Sequence, residues 1–114
     1  MAPSPHTHVI LIVEDPSICR LVKNVLRRDG REVMETDTQQ ALRLVEDGEA
    51  GVELLITNRP QAFEQLDGRV PVLYLASSPD WDLARRRRGL RVLQKPFHAK
   101  ELMEAVVEIT RHEG

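Results

Sequence analysis

The sequence predicts an α/β domain built on five parallel strands with helices on both faces. Two observations carry that reading. Short β-branched or aliphatic runs at Val9–Val13, Glu32–Thr36, Val52–Thr57, Val70–Ala76 and Leu90–Gln94 alternate with segments of helical period. The runs Val9–Val13 and Val70 to Leu75 are apolar on both alternating faces, as strands buried on both sides must be. Such alternation calls for right-handed crossovers between parallel neighbours.

The first helix carries Ile18, Leu21, Val22, Val25 and Leu26 at the spacing of one helix face. Pro16 suits its first turn, where the missing N–H has no intrahelical partner to lose, and Gly30 suits a left-handed stop. A second helix starts near Asp37 or Thr38, buries Ala41, Leu42 and Val45, and ends at Gly48. A later one spans about Pro79 to Arg88, with Ser78 as cap and Gly89 as stop. The last covers Ala99 to Arg111 and buries Leu102, Met103, Val106 and Ile109. For five strands so connected, fold-level analogy supplies the flavodoxin-like, doubly wound order 2-1-3-4-5.

One crossover is anomalous. Only Asn58 to Arg69 separate the third and fourth strands. A six-residue strand is roughly 20 Å long, whereas a helix over Pro60 to Leu66 returns about 10 Å at ~1.5 Å per residue. The third helix must therefore be short, and it should cover less of the sheet than its neighbours. Apolar surface at Phe63 and Leu66 is expected to stay partly uncovered as a contact site, unless the loop packs flat on the sheet.

Composition narrows the class. The 114 residues fit one domain, taken as 9–112 after a flexible lead-in at 1–8, with 41% hydrophobic and 30% charged residues. A net charge of −2 gives no bulk attraction to nucleic acid or anionic membrane. The single cysteine, Cys19, excludes an intramolecular disulfide and reads as a small, half-buried residue of the first helix. No run approaches membrane-spanning length and no secretory leader is visible, so the expectation is a cytoplasmic protein.

Ligands on open α/β sheets gather at the carboxyl ends of strands, where the strand order reverses. Glu14 and Asp15 follow the first strand, Asn58 ends the third, and Lys95 follows the fifth. The stretch Val9-Ile-Leu-Ile-Val-Glu-Asp-Pro-Ser-Ile resembles the opening of a response-regulator receiver domain. Leu93-Gln-Lys-Pro-Phe97, ahead of a helix with Glu101-Leu102, resembles its close, and Pro71-Val-Leu-Tyr-Leu-Ala-Ser its fourth strand. The resemblance runs from about Val9 to Thr110. It implies that Glu14 and Asp15 stand where the family binds Mg²⁺, that Lys95 is the cation facing the phosphoryl group, and that Lys95–Pro96 is cis.

The phosphoryl acceptor of that family is an aspartate ending the third strand; here it is Asn58. An amide is neutral, its nitrogen lone pair is delocalised, and it cannot form the acyl phosphate. Ala76 stands where the family places Thr or Ser, and Val92 where it places a switching aromatic. Ser77 follows Ala76, but one step along a strand reverses the side-chain face. The first loop is one residue shorter than the family's, which leaves open whether Glu14 and Asp15 both point inward. Lys95 is expected to pair with Asp15, and to donate to Asn58 as well, making the pocket an ion-pair cluster with at most weak Mg²⁺ binding.

The run Arg85-Arg86-Arg87-Arg88 with Arg91 has two readings. It complements the dipole of a helix opening with Asp80 and Asp82, or it binds an acidic partner or nucleic acid. Trp81 reads equally as core packing or as an interface anchor. His6, His8, His98 and His112 form no metal spacing, and His98 suits a helix start. No nucleophile–base pair suggests an enzyme. The expectation is a non-catalytic pseudo-receiver that binds a histidine kinase, another regulator or a second copy of itself. The rivals are a phosphorylatable receiver whose acceptor is Asp67 and a nucleic-acid binder using Arg85–Arg88.

Overall fold

Strand β1 (Val9–Val13) shows how the core is divided. Ile10 and Ile12 face one side, with Cys19, Val22 and Leu26 of α1 (Pro16–Arg28) and Leu102, Ala105 and Val106 of α4 (Ala99–Thr110). Val9 and Leu11 face the other, with Ala41 of α2 (Thr38–Asp47) and with Phe63 and Leu66. This is the period-2 alternation of a strand buried on both faces. The computed structural model describes residues 8–48 and 51–111, so His6, His112 and nearly all of the expected lead-in lie outside the described residues.

The remaining elements are β2 (Glu32–Glu35), β3 (Val52–Thr57), a 3-10 helix (Pro60–Leu66), β4 (Val72–Ala76), α3 (Trp81–Arg86) and β5 (Leu90–Gln94). All strand pairs are parallel, in the order β2-β1-β3-β4-β5, as the alternation and the analogy indicated. The termini of the helices follow their chemistry. Asp37 accepts from Gln40 N at 2.7 Å, Gly48 closes α2 at φ 70, and Glu101 accepts from His98 N at 2.7 Å ahead of α4. Lys95–Pro96 is cis.

The third crossover departs from expectation. Phe63 is fully buried and Leu66 is 1% exposed, so neither offers a contact site. The segment is indeed short, but it kinks at Phe63 (φ −120, ψ 22) and lies against the sheet. Both side chains thereby reach the apolar cluster beneath.

Arg87 holds that segment in place. Its Nη1 donates to Pro60 O at 2.6 Å, its Nη2 to Phe63 O at 3.3 Å and its Nε to Asp67 Oδ1 at 2.8 Å. The Arg87 side chain is only 6% exposed. The helix expected from Pro79 to Arg88 is therefore limited to Trp81–Arg86, and Arg87 follows it in extended conformation. The cap is Asp80, which accepts from Leu83 N at 3.1 Å, rather than Ser78. Asp80 N in turn donates to the Tyr74 hydroxyl at 3.1 Å, which ties the start of α3 to β4. The arginine run is thus divided: Arg85 and Arg86 lie in the last turn of α3, Arg88 is exposed beyond it, and Arg87 is a buried tether.

Replacing Arg87 with Ala leaves two carbonyls without this donor and one carboxylate without its cation. Removing one partner of a buried pair costs about 3–5 kcal/mol, and half-exposed Asp67 puts this case near the lower end, about 3 kcal/mol by urea denaturation; Asp67→Asn should cost clearly less. Burial raises the pKa of the Cys19 thiol, whose Sγ lies 3.4 Å from Glu14 O. The native state therefore keeps a proton that the unfolded chain releases near the ordinary value of 9.0. Stability from this group is complete below that pH and declines above it, so Cys19→Ala should flatten the alkaline decline in a pH series of thermal melts.

Candidate functional site

At the carboxyl edge of the sheet the chain leaves β1 through Glu14 and Asp15 and leaves β3 through Asn58. These residues line one cleft of about 200 Å³ with Val13, Thr38 and Arg59. The structure brings Asn58 and the acidic pair to one cleft. Thr38 and Arg59 are site residues that the sequence pattern does not single out. Arg59 follows Asn58 directly, so its adjacency is a signal the sequence carries; Thr38 opens α2 and comes beside Asn58 only in the fold.

The two acids are not equivalent. The Glu14 side chain is fully buried, and its Oε2 lies 3.0 Å from Lys95 Nζ. Its Oε1 accepts from Asp15 N at 2.9 Å. Asp15 is exposed at the start of α1. The expected partner of Lys95 was Asp15; the structure gives Glu14 instead. The short first loop accounts for the difference, because Pro16 already begins α1 and Asp15 occupies its N-cap position. No hydrogen bond joins Lys95 to Asn58 among the described residues. Glu14 Oε2 has an ion-pair partner yet no aligned hydrogen bond, so its attraction to Lys95 is Coulombic rather than directional. The distance defines the ion pair, and the misaligned angle explains the missing hydrogen bond.

Lys95 lines a second cleft, of about 310 Å³, with Ile18, Leu21, Ser77, Pro96 and Phe97. Leu21 is 41% exposed there. The Glu14–Lys95 pair therefore spans the ground between a polar cleft and an apolar one. Strand alternation does not decide the direction of Ser77, because β4 ends at Ala76. Ser77 joins the cleft of Lys95, not that of Asn58. Ala76 is part-buried at the end of its strand, with its carbonyl accepting from Lys95 N at 2.8 Å. Val92 sits beside Tyr74 in the ladder, and neither Ala76 nor Val92 carries a side-chain polar group.

Among the described residues, no three His, Cys, Asp or Glu side chains are grouped to hold a metal. Of the two carboxylates, Glu14 is committed to Lys95 and to the Asp15 amide, and Asn58 adds no charge. Mg²⁺ keeps several waters and relies on one or two carboxylates, which leaves Asp15 as the accessible one. Asp67 does not rescue the set. It follows the 3-10 helix, is bound by Arg87, and lines neither cleft.

Solved structures share this architecture. The receiver domain of the hybrid histidine kinase CckA is 27% identical, over 90% of this chain and 98% of that one, with a TM-score of 0.70. The fold is that of a response-regulator receiver domain. SdrG from Pseudomonas melonis Fr1, in its BeF3-activated conformation, is 26% identical over 94% of this chain and 99% of its own, with a TM-score of 0.71. The signal receiver domain of an HD domain-containing protein from Pseudomonas fluorescens Pf-5 shares the receiver fold at 20% identity, over 99% and 93% of the two chains, with a TM-score of 0.77. No protein-family model matches the sequence, and no curated protein does. Among the described residues no helix is long and apolar enough to cross a membrane.

The other surface candidates separate by exposure. Trp81 is 51% exposed, which removes the core-packing reading. Arg85 pairs with Asp82 at 2.7 Å, and Arg91 pairs with Glu108 of α4. Arg87 and Phe63, both expected on an interaction surface, are buried for the reasons given above.

Replacing Lys95 with Met strands a buried Glu14 carboxylate. The expected cost is about 3 kcal/mol at neutral pH, measured by urea denaturation.

Proposed function

We propose that this chain is an atypical receiver in two-component or phosphorelay signalling, acting by protein–protein contact without aspartyl phosphorylation. One observation carries the reading: the neutral carboxamide of Asn58, the residue after β3, stands in the cleft beside Glu14 and Asp15, at the position that matches the family's phosphoryl acceptor. Phosphoryl transfer needs an anionic oxygen in line with phosphorus and cations to offset the developing charge. Asn58 lacks the first, and the engaged Glu14 limits the second. Ala76 and Val92 supply neither the hydroxyl nor the aromatic ring through which the family reports phosphorylation.

What remains is a set of surfaces. Ile18, Leu21, Pro96 and Phe97 wall an apolar cleft beside Lys95. Half-exposed Trp81 lies on the short α3, whose last turn carries Arg85 and Arg86. Such apolar and aromatic anchors rimmed by charge suit a protein partner. A histidine kinase, another regulator or a second copy of the chain fits this description, and a cytoplasmic location would follow from it. Nucleic acid fits less well. The net charge is −2, Arg87 is withdrawn into the fold, and Arg85 and Arg91 are already paired with acids.

Incubation with Mg²⁺ and acetyl phosphate should give no phosphoryl adduct by intact mass, and beryllofluoride should leave the amide spectrum nearly unchanged. SdrG, in contrast, has a BeF3-activated conformation. A stoichiometric adduct on the unaltered chain would overturn the reading. Asn58→Asp should bind Mg²⁺ more tightly and be less stable without it, because a third carboxylate adds like-charge repulsion.

A further inference from the structure

The loop that carries Asn58 and the helix that carries Trp81 are fastened to each other by one side chain. Arg87 leaves α3 in extended conformation (φ −109, ψ 125) and turns inward. Each of its three guanidinium nitrogens contacts a different acceptor: Pro60 O, Phe63 O and Asp67 Oδ1. Pro60 is two residues beyond Asn58. The intervening Arg59 is held locally, its N donating at 3.0 Å to Oγ1 of the fully buried Thr57. Between the Asn58 cleft and the Arg87 guanidinium there is thus only the backbone of Arg59 and Pro60.

The helix end of the connection is as direct. Arg87 is the residue after Arg86, and α3 has six residues. A helix that short has too few internal hydrogen bonds to maintain itself and takes its position from its attachments. Its start is tied to the Tyr74 hydroxyl through Asp80 N, and its end is tied to the 3-10 segment through Arg87. A planar guanidinium engaged by three acceptors has a defined orientation, unlike an ammonium on a flexible stem. It therefore transmits displacement instead of absorbing it.

We infer that Arg87 is a positioning residue that couples the Asn58 cleft to the Trp81-bearing face. A change that moves the Arg59–Pro60 backbone reorients α3, and a partner docked on α3 alters the cleft to the same energetic extent, since coupling between two sites is reciprocal. This route takes the place of a relay through positions 76 and 92, which carry Ala and Val. The signalling use of the coupling rests on the partner-binding reading above, but its physical existence does not.

The test uses the full chain and no partner. Backbone amide shifts and the Trp81 indole resonance are recorded for Asn58→Asp against the unaltered residue, in three backgrounds: wild type, Arg87→Lys and Asp67→Asn. In wild type, Asn58→Asp should shift resonances over Trp81–Arg86 as well as those of the cleft. In Arg87→Lys, which keeps the charge but cannot span three acceptors, the α3 shifts should vanish while the cleft shifts remain. Asp67→Asn weakens one anchor at a half-exposed position and should reduce the α3 shifts, which keeps the test valid should Arg87→Lys fail to fold. Undiminished α3 shifts in a folded Arg87→Lys, or in Asp67→Asn when Arg87→Lys does not fold, would overturn the inference. So would the absence of α3 shifts in wild type. A phosphoryl adduct on the wild-type chain would sink the proposed function and leave this result untouched.

Discussion

A parallel sheet that is apolar on both faces must be covered on both, and in this chain one of the covers is too short for its task. The fourteen residues between β3 and β4 cannot build a full helix, yet Leu11, Leu55 and Val72 beneath them need burial. The solution is a kinked 3-10 segment pressed flat, with Phe63 and Leu66 as its inward side chains. A 3-10 turn has poorer internal hydrogen bonding than an α-helix. Arg87 offsets that weakness from outside, with a charge-assisted bond to Asp67 and two bonds to backbone carbonyls. Much of the unusual local structure follows from this. The end of α3, the division of the arginine run and the link between the cleft loop and the Trp81 face all depend on where Arg87 goes.

The cleft at the carboxyl edge shows a related economy of charge. Glu14 is buried, and burial of a lone carboxylate would be costly. Lys95 supplies the opposing charge, and the Asp15 amide supplies a hydrogen bond. Asn58 beside them is neutral, so one lysine and one glutamate make a closed pair. Asp15 stays at the rim because the helix begins immediately after it.

Much of the fold was legible in the linear sequence, for reasons specific to particular residues. Val9 to Val13 could only be a strand buried on both faces, Pro16 could only help to open a helix, and Gly48 closes α2 with the positive φ that its type permits. The approach of Asn58 to the acidic pair was legible too, since residues at the ends of adjacent parallel strands must converge. The partner of Lys95 was not. Glu14 and Asp15 are neighbours in sequence, and which of them turns inward depends on how the shortened loop enters α1. The Asp80 cap was likewise hidden, because Ser78 and Asp80 both have the chemistry of a cap and only the path of the chain after β4 selects between them.

The sequence by itself determined the strand and helix pattern, the two-sided core and the neutral side chain of Asn58 after the third strand, because these depend on local periodicity and residue chemistry. Tertiary structure alone decided that Arg87 leaves the charged surface for the interior, that Phe63 is covered and that Trp81 is not. Four consecutive arginines are chemically identical in the sequence. They become different only when one of them meets three acceptors brought from twenty or more residues away, and that meeting is a property of the folded chain.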